Sequence, residues 1–323
     1  MRPIEVTSIG EAFIDFVSPQ PSNDLSTAKH FMKNAGGAPA NVAVGLARLG
    51  IRTAFVGKVG RDSFGRFVKN ELKRYGVETR WIVGDPKYKT RLAFVAVAKN
   101  GDRDFEFWEN DPADQHLLGK EIDLDAICRS KIINIGPFLL LNAVTKKAAF
   151  SIARTAKKRN RWICFDPNIR MSLWRDKTGA IAIYQTMIRK TNVLRLNEDE
   201  AQLLTGEKSL KDAVKALLLM GPQLVVVTKD KKGCLFATRK YRGDVQGFSV
   251  DAADTTGCGD GFLAGLLAGI IRSQKPLDNL SHQNLIDICT TANAVGALVA
   301  TKQGAIAAMP SLNRVKQFLR RQK

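Results

Sequence analysis

No apolar run in this 323-residue chain is long enough to cross a bilayer; the longest, around Phe262–Ile271, falls well short of the about 20 residues a spanning helix needs. The first residues, MRPIEVTSIG, lack the extended apolar stretch of a secretory leader, so none is expected. Cysteine is sparse. Cys128, Cys164, Cys234, Cys258 and Cys289 form no CxxC or other metal-ligand spacing, and an odd, dispersed set points to reduced thiols and a cytoplasmic location. Familiar phosphate-binding motifs are missing as well. GRDSFGRF at 60–67 has the glycine spacing of a P-loop, but Arg66 and Phe67 stand where Lys and Ser/Thr belong. No GxGxxG follows a strand.

Basic charge is plentiful: the net charge is +19 and the pI about 9.9. The cations are scattered through Lys157–Arg161, Arg189–Arg195, Lys229–Lys240 and Arg314–Lys323. No zinc-finger spacing, RNP-like aromatic motif or basic heptad accompanies them, so nucleic-acid binding is not expected. They read mainly as a solvated surface that helps to collect anionic metabolites. With 45% hydrophobic residues, the chain can bury a sizeable core in one large α/β domain or two modest ones. No internal repeat or low-complexity linker divides it.

Short β-rich runs alternate with helical patterns. EVTSIG, RTAFVGKVG, KIINIG, WICFDPN, VLRLN and QLVVVTKD read as strands, several ending on the Gly, Asn or Asp expected at a strand exit. Helical patterns cover Ala40–Leu49, Ser63–Tyr75, Lys146–Lys158 and Glu198–Leu204. The alternation predicts an α/β fold, a mostly parallel sheet with helices on both faces and ligands at the carboxyl ends of its strands. Two β-rich segments, about 11–34 and 86–110, break the rhythm, and RLAFVAVAKNGDRDFEFW reads as two strands around an Asn-Gly turn. They either join as a small second sheet, a lid over the cleft, or stand as two ordinary edge hairpins.

DTTGCGDGFLAGLLAGI at 254–270 carries the chemistry. Gly257, Gly259 and Gly261 form a tight turn before an apolar stretch over 260–271 that reads as a buried helix. Glycines at a helix start let backbone N–H groups approach an anion, and the helix dipole adds positive potential. Asp260 sits at the join. It is either a charge complementing the helix start or a base that takes a proton from an attacking hydroxyl while the amides hold a transferring phosphoryl group.

DTTGCGDGF is similar to the C-terminal signature of the ribokinase-like (PfkB) sugar kinases, and GGAPANVAVGLARLG at 36–50 to their N-terminal signature. NEDE at 197–200 resembles their N-x-x-E motif, FDPNIR at 165–170 their D-P-N-x-R stretch, and VATKQGA at 299–305 their C-terminal nucleotide loop. Within the family, GGAPANVAVGLARLG, DPNIRMSLW and the F-x-F-W…P-A-D segment are most similar to fructokinases. The resemblance implies a single three-layer α/β/α kinase domain over 1–323, with a mostly parallel central sheet and a small β-sheet lid. It implies ATP-dependent phosphorylation of a primary hydroxyl of a ketose, fructose foremost, with Mg²⁺ and a homodimer paired through the lids. Other implied readings are a family member acting on 2-keto-3-deoxygluconate or a related sugar, and a kinase-like regulatory protein of low activity.

By the same resemblance Asp260 is the catalytic base, and the amides of Gly257, Cys258 and Gly259 form the anion hole. Asp15 matches the acid that binds sugar hydroxyls, Gly36 and Gly37 let the backbone close on the sugar, and Asn41 adds a side-chain amide. As a bland alternative, Asn41 caps the helix that follows. Asn197 and Glu200 resemble the pair that organises Mg²⁺ through waters. Asn168 and Arg170 approach the phosphates, and Thr228, Gly233, Asn293 and Gly304 align with nucleotide-site positions. Asp254 and Thr256 resemble ligands of a monovalent cation, K⁺ in many members. The chain departs from the pattern at Cys258, at Lys229-Asp230 and at Glu109, where fructokinase-like sequences commonly carry arginine.

Overall fold

The computed structural model describes residues 3–19, 24–97, 103–108 and 111–322. Strands β1 (Val6–Ile9), β4 (Thr53–Gly60), β5 (Ile82–Asp85), β8 (Ile132–Ile135), β9 (Trp162–Phe165), β10 (Val193–Asn197) and β11 (Leu224–Thr228) pair in parallel. The hairpin β12 (Cys234–Ala237) and β13 (Arg242–Val245) extends them into a nine-stranded sheet, ordered β13-β12-β11-β10-β9-β8-β1-β4-β5. Every run read as a strand in the sequence is one.

Alternation builds the layers, because neighbouring side chains on a strand leave by opposite faces. Leu224 and Val226 enter one core with helices α1 (Ala38–Arg48), α8 (Cys258–Ser273) and α9 (His282–Ala300). Val225 and Val227 enter the other with α4 (Ala143–Lys158), α5 (Lys177–Ile188), α6 (Glu198–Thr205) and α7 (Leu210–Met220). Helix α2 (Ser63–Arg74) adds Val68 and Leu72 to a third cluster; α3 (Leu124–Ile127) is one turn, and α10 (Leu312–Arg321) packs Val315 against the first core. The result is a three-layer α/β/α molecule.

The two irregular β-rich segments do meet. Strands β2 (Phe13–Val17), β3 (Met32–Gly36), β6 (Leu92–Val97) and β7 (Arg103–Phe107) form a second sheet in the order β3-β2-β6-β7. The segments are joined by a parallel β2–β6 ladder, with Ile14 opposite Leu92 and Val17 opposite Val95, so they are not separate hairpins. The Asn-Gly turn between β6 and β7 lies outside the described residues.

Helix α8 starts at Cys258, two residues before the expected start, so Gly259 and Gly261 lie in its first turn and only Gly257 is outside it. It runs antiparallel to α9, with Gly261 against Val299, Gly265 against Ala292 and Gly269 against Ile288. A methyl on Gly265 would stand 2.8 Å from the Ala292 Cα. Backbone cannot yield as a side-chain tip can, so Gly265→Val should lower stability by about 1–3 kcal/mol through overpacking. Urea denaturation measures this, and an unchanged midpoint would show that the two helices part without cost.

Candidate active site

The chain order reverses at β1, which lies between β4, formed next in the main sheet, and β8, formed after the excursion through the second sheet. Loops leave such a switch point in opposite directions and open a crevice at the carboxyl ends of the strands. Glu11 follows β1, Gly136 follows β8, Asp166 follows β9, and Asn197 and Thr228 close β10 and β11. The head of α8 faces this row.

Gly257 caps α8 with φ 78°, a left-handed conformation that glycine adopts without strain, and supplies no side chain to the helix start. The amides of Gly257, Cys258 and Gly259 have no carbonyl one turn earlier within the helix. The Cys258 N–H also approaches the Thr255 carbonyl at 3.3 Å. Asp260 lies in this first turn, and the Asn41 Nδ2 donates to its Oδ2 at 2.8 Å. Burial pushes the Asp260 carboxyl up to about 7; the Asn41 hydrogen bond, Arg195 and Arg170 pull it down, while Asp166 raises it further. A carboxyl half-ionised near neutrality can take a proton and give it back.

Asn41 therefore does not cap α1. Gly37, at φ 104°, is the cap residue, and Asn41 lies inside the helix because Pro39 already occupies its first turn. Its Oδ1 is buried without a partner. Asp15 is not at the exit of β1 but inside β2, opposite Asn34. Its carboxylate lies across Gly36, where a methyl would stand 2.0 Å from Oδ2. Gly37 packs against the Glu11 carbonyl, 2.5 Å from an added Cβ, so the two glycines fit the chain against the β1–β2 turn. Glu109 lies outside the described residues.

A cavity of about 330 Å³ opens on the other side of the α8 head, lined by Thr228, Gly233, Cys258, Gly259, Phe262 and Asn293 among others. Thr228, Gly233 and Asn293 thus come together as the sequence predicts. Asn293 is also tied down, its Nδ2 donating to the carbonyls of Val245 and Gln246 at 3.2 and 3.0 Å. Lys229 pairs with Asp244, and Asp230 bends at φ 47° into a short turn, so the altered loop is still closed. Gly304 is not among the residues lining this cavity; its N–H donates to Asp254 Oδ2 at 2.9 Å. That bond fastens the loop before α8 to the one after α9, while Asp254 Oδ1 accepts from the Thr256 N–H and hydroxyl at 2.8 and 2.6 Å within the first loop.

Asn197 and Glu200 form a reciprocal cap on α6: Asn197 Oδ1 accepts from the Glu200 N–H at 2.8 Å, and Glu200 Oε2 from the Asn197 N–H at 3.0 Å. Glu200 Oε1 accepts from the Ile169 N–H at 2.7 Å, and burial raises its carboxyl above the usual range. Each oxygen keeps a lone pair, which suits a hydrated divalent ion better than direct ligation. Among the described residues no three His, Cys, Asp or Glu side chains converge as a metal cage. Asn168 turns left-handed at φ 37° and donates its N–H to Asp166 Oδ1 at 3.2 Å, whereas Arg170 is exposed.

Three residues of the site escaped the sequence reading. Glu11 is 2% exposed, its Oε2 has no partner, and burial pushes its carboxyl up to about 8. Asp166 is buried at the end of β9, inside the FDPNIR stretch that directed attention to its neighbours. Arg195 falls in a basic run that reads as solvated surface in the sequence. The structure instead buries it beneath α8, with Nη1 2.8 Å from Asp166 Oδ2. Strand alternation was the available signal, since Leu194 and Leu196 face one core and leave Arg195 on the α8 side.

A carboxyl poised near neutrality beside helix-head amides suits removal of a proton from an alcohol next to a bound anion. Comparison with known proteins narrows this. The model of the pfkB family carbohydrate kinases matches residues 4–312. The chain is 37% identical over 316 residues to probable fructokinase-4 of Arabidopsis thaliana, covering 98% of this chain and 96% of that protein. Its fold matches the fructokinase with bound ATP from Xylella fastidiosa with a TM-score of 0.91, at 30% identity over 99% of both chains. It matches a double-mutant fructokinase from Vibrio cholerae O395, in its fructose, ADP and potassium ion bound form, with a TM-score of 0.88 at 32% identity over 99% of both chains. The chain belongs to the pfkB family and is a sugar kinase with the ribokinase-like fold.

Glu11 gives a test of the site's electrostatics. Its carboxyl holds its proton to about pH 8 when folded, against the 4.5 of an unburied glutamate. Between those values the unfolded chain binds fewer protons than the folded one, so stability falls as pH rises, by up to about 1.4 kcal/mol per unit. Glu11→Gln removes this loss. Stability measured by denaturation from pH 5 to 8 should decline less steeply in the variant, and parallel profiles would show that Glu11 ionises normally.

Proposed function

We propose that the chain is an ATP-dependent fructokinase, transferring the γ-phosphoryl group of Mg·ATP to the primary hydroxyl that yields fructose 6-phosphate. One observation carries the reading: Asp260, oriented by Asn41, sits at the uncapped head of α8 between the nucleotide-sized cavity and the Asp15–Gly36 face. The similarity to fructokinases, some solved with ATP or with fructose, ADP and potassium ion, supports the choice of sugar and nucleotide.

In this mechanism Asp15, with Gly36 and Gly37 closing behind it, receives the sugar and turns its hydroxymethyl group toward Asp260. Asn41 engages one carboxylate oxygen of Asp260 and leaves the other for the hydroxyl. As the hydroxyl oxygen bonds to the γ-phosphorus and the bond to ADP breaks, Asp260 takes the proton. The amides of Gly257, Cys258 and Gly259 stabilise the migrating group, where preorganised donors act without reorganising. Asn197 and Glu200 would hold Mg²⁺ through waters, and the ion would neutralise charge on the phosphates. Asp254 and Thr256 brace the loop before α8, and their oxygens fit a monovalent cation beside it. Asn168, Arg170, Thr228, Gly233, Asn293 and Gly304 complete the nucleotide side of the proposal.

The second sheet acts as the lid, keeping water from the phosphoryl group so that ATP is not simply hydrolysed. Met32 (47% exposed) and Phe105 (42%), on the face that carries Asp15, and Trp108 (65%), on the opposite face, are exposed apolar side chains of this sheet, and pairing with a second copy through it is part of the same reading. A cytoplasmic location belongs to the same reading; among the described residues no helix is long and apolar enough to cross a membrane.

Asp260→Asn should cut turnover by about 10²–10⁴-fold and leave ATP binding near normal. In the native chain kcat/KM should rise with pH through about 7 as Asp260 ionises. ATP consumption across fructose, ribose, mannose and 2-keto-3-deoxygluconate measures both. Substantial activity in the variant removes Asp260 as the base, and preference for another sugar overturns fructose.

A further inference from the structure

Arg195 occupies a position that strand alternation would fill with an apolar side chain, beneath the first turn of α8. Its side chain is 12% exposed and lines the nucleotide cavity. Nη1 donates to Asp166 Oδ2 at 2.8 Å and Nη2 to Thr228 Oγ1 at 2.7 Å. Its Nε is buried with no hydrogen-bond partner.

That pattern is unlike an arginine that only ties two elements together. A structural guanidinium pair commonly presents two parallel N–H groups to one carboxylate, as Arg91 does to Asp114 through Nε and Nη2. Arg195 instead divides its two terminal nitrogens between partners that hold it from two sides. A guanidinium has five N–H donors, and the described contacts engage only two.

The absence of a side chain on Gly259 matters here. A methyl on it would stand 2.8–3.1 Å from the guanidinium, so this glycine makes room for Arg195 directly beside the anion hole. The same group lies between Asp260 and Glu200, and its charge acts on both carboxyls.

We infer that Arg195 is a catalytic residue that contacts the γ-phosphoryl oxygens of the bound nucleotide from below the helix-head amides, with Asp166 and Thr228 as its positioning residues. This rests on the kinase reading and deepens it. The guanidinium meets the migrating group on the side opposite the attacking hydroxyl's base, and no proton leaves it. Preorganised charge of this kind, fixed before the reaction, acts on the transition state more than on the bound sugar.

The test compares ATP with ADP. By calorimetry on the full chain without sugar, Arg195→Met should weaken ATP binding tenfold or more and ADP binding less than threefold. In turnover it should lower kcat about 10²-fold and leave the sugar KM within twofold. Arg195→Lys keeps a charge for Asp166 but loses the fork; it should fold normally and show a smaller loss of the same kind, and it carries the test if the Met variant fails to fold. Equal weakening of ATP and ADP, or an unchanged kcat, assigns Arg195 a purely structural brace and overturns the inference. Wild-type chain that binds ATP but turns over no sugar overturns the kinase reading alone, because the ATP-to-ADP contrast still decides Arg195. Wild-type chain that binds neither nucleotide overturns both.

Discussion

Backbone amides at the head of one buried helix carry no side-chain cap, and the rest of the site is arranged around them. An ordinary helix start recruits Ser, Thr, Asn or Asp to satisfy those donors, as Asp62, Asn142, Ser209 and Ser281 do elsewhere in this chain. Helix α8 has Gly257 there instead. Its partial positive charge meets no side-chain cap, and the close glycine-mediated seam with α9 fixes where it points.

A carboxylate beside uncapped helix-head amides sits among other acids, and the surroundings set its charge. Glu11, Asp166 and Glu200 lie buried around one crevice, and Asp260 is half-buried at its edge. Desolvation raises the carboxyls of Glu11, Glu200 and Asp260. Asp260 comes to rest near neutrality because Asn41 bonds it and two arginines oppose its other neighbours. Glu11 holds its proton further, since burial and the neighbouring Asp114 and Asp260 outweigh its own backbone hydrogen bond and Arg91. Environment thus gives similar side chains different work.

The second sheet contributes through contact rather than charge alone. β2 continues directly from β1, so Asp15 and the Gly36–Gly37 turn are carried on the strand leaving the switch point. Arg91 and Asp114, paired deep beneath this sheet, stack under Phe107 and Phe138, with ring centroids 5.1 and 5.3 Å from the guanidinium carbon. A buried cation covered by aromatic faces anchors the second sheet to the main body.

The main-sheet strands and the α8 motif were legible in the sequence because their signals are local: apolar alternation, a helical period, glycines next to an acid. The expected groups at Thr228, Gly233, Asp260 and the capped pair Asn197–Glu200 sit at strand ends and helix starts, where short-range chemistry dictates conformation. Other features needed the folded chain. Asn41 meets Asp260 across 219 positions, and β2 finds β6 instead of remaining in a separate hairpin. Arg195 reads as one more cation in a basic run until β10 turns it under α8. Sequence sets the period of each element, but which faces converge, and how much water they exclude, follows from packing between segments far apart in the chain; that exclusion is the largest of the influences that move the Asp260 carboxyl from its ordinary range to about 7.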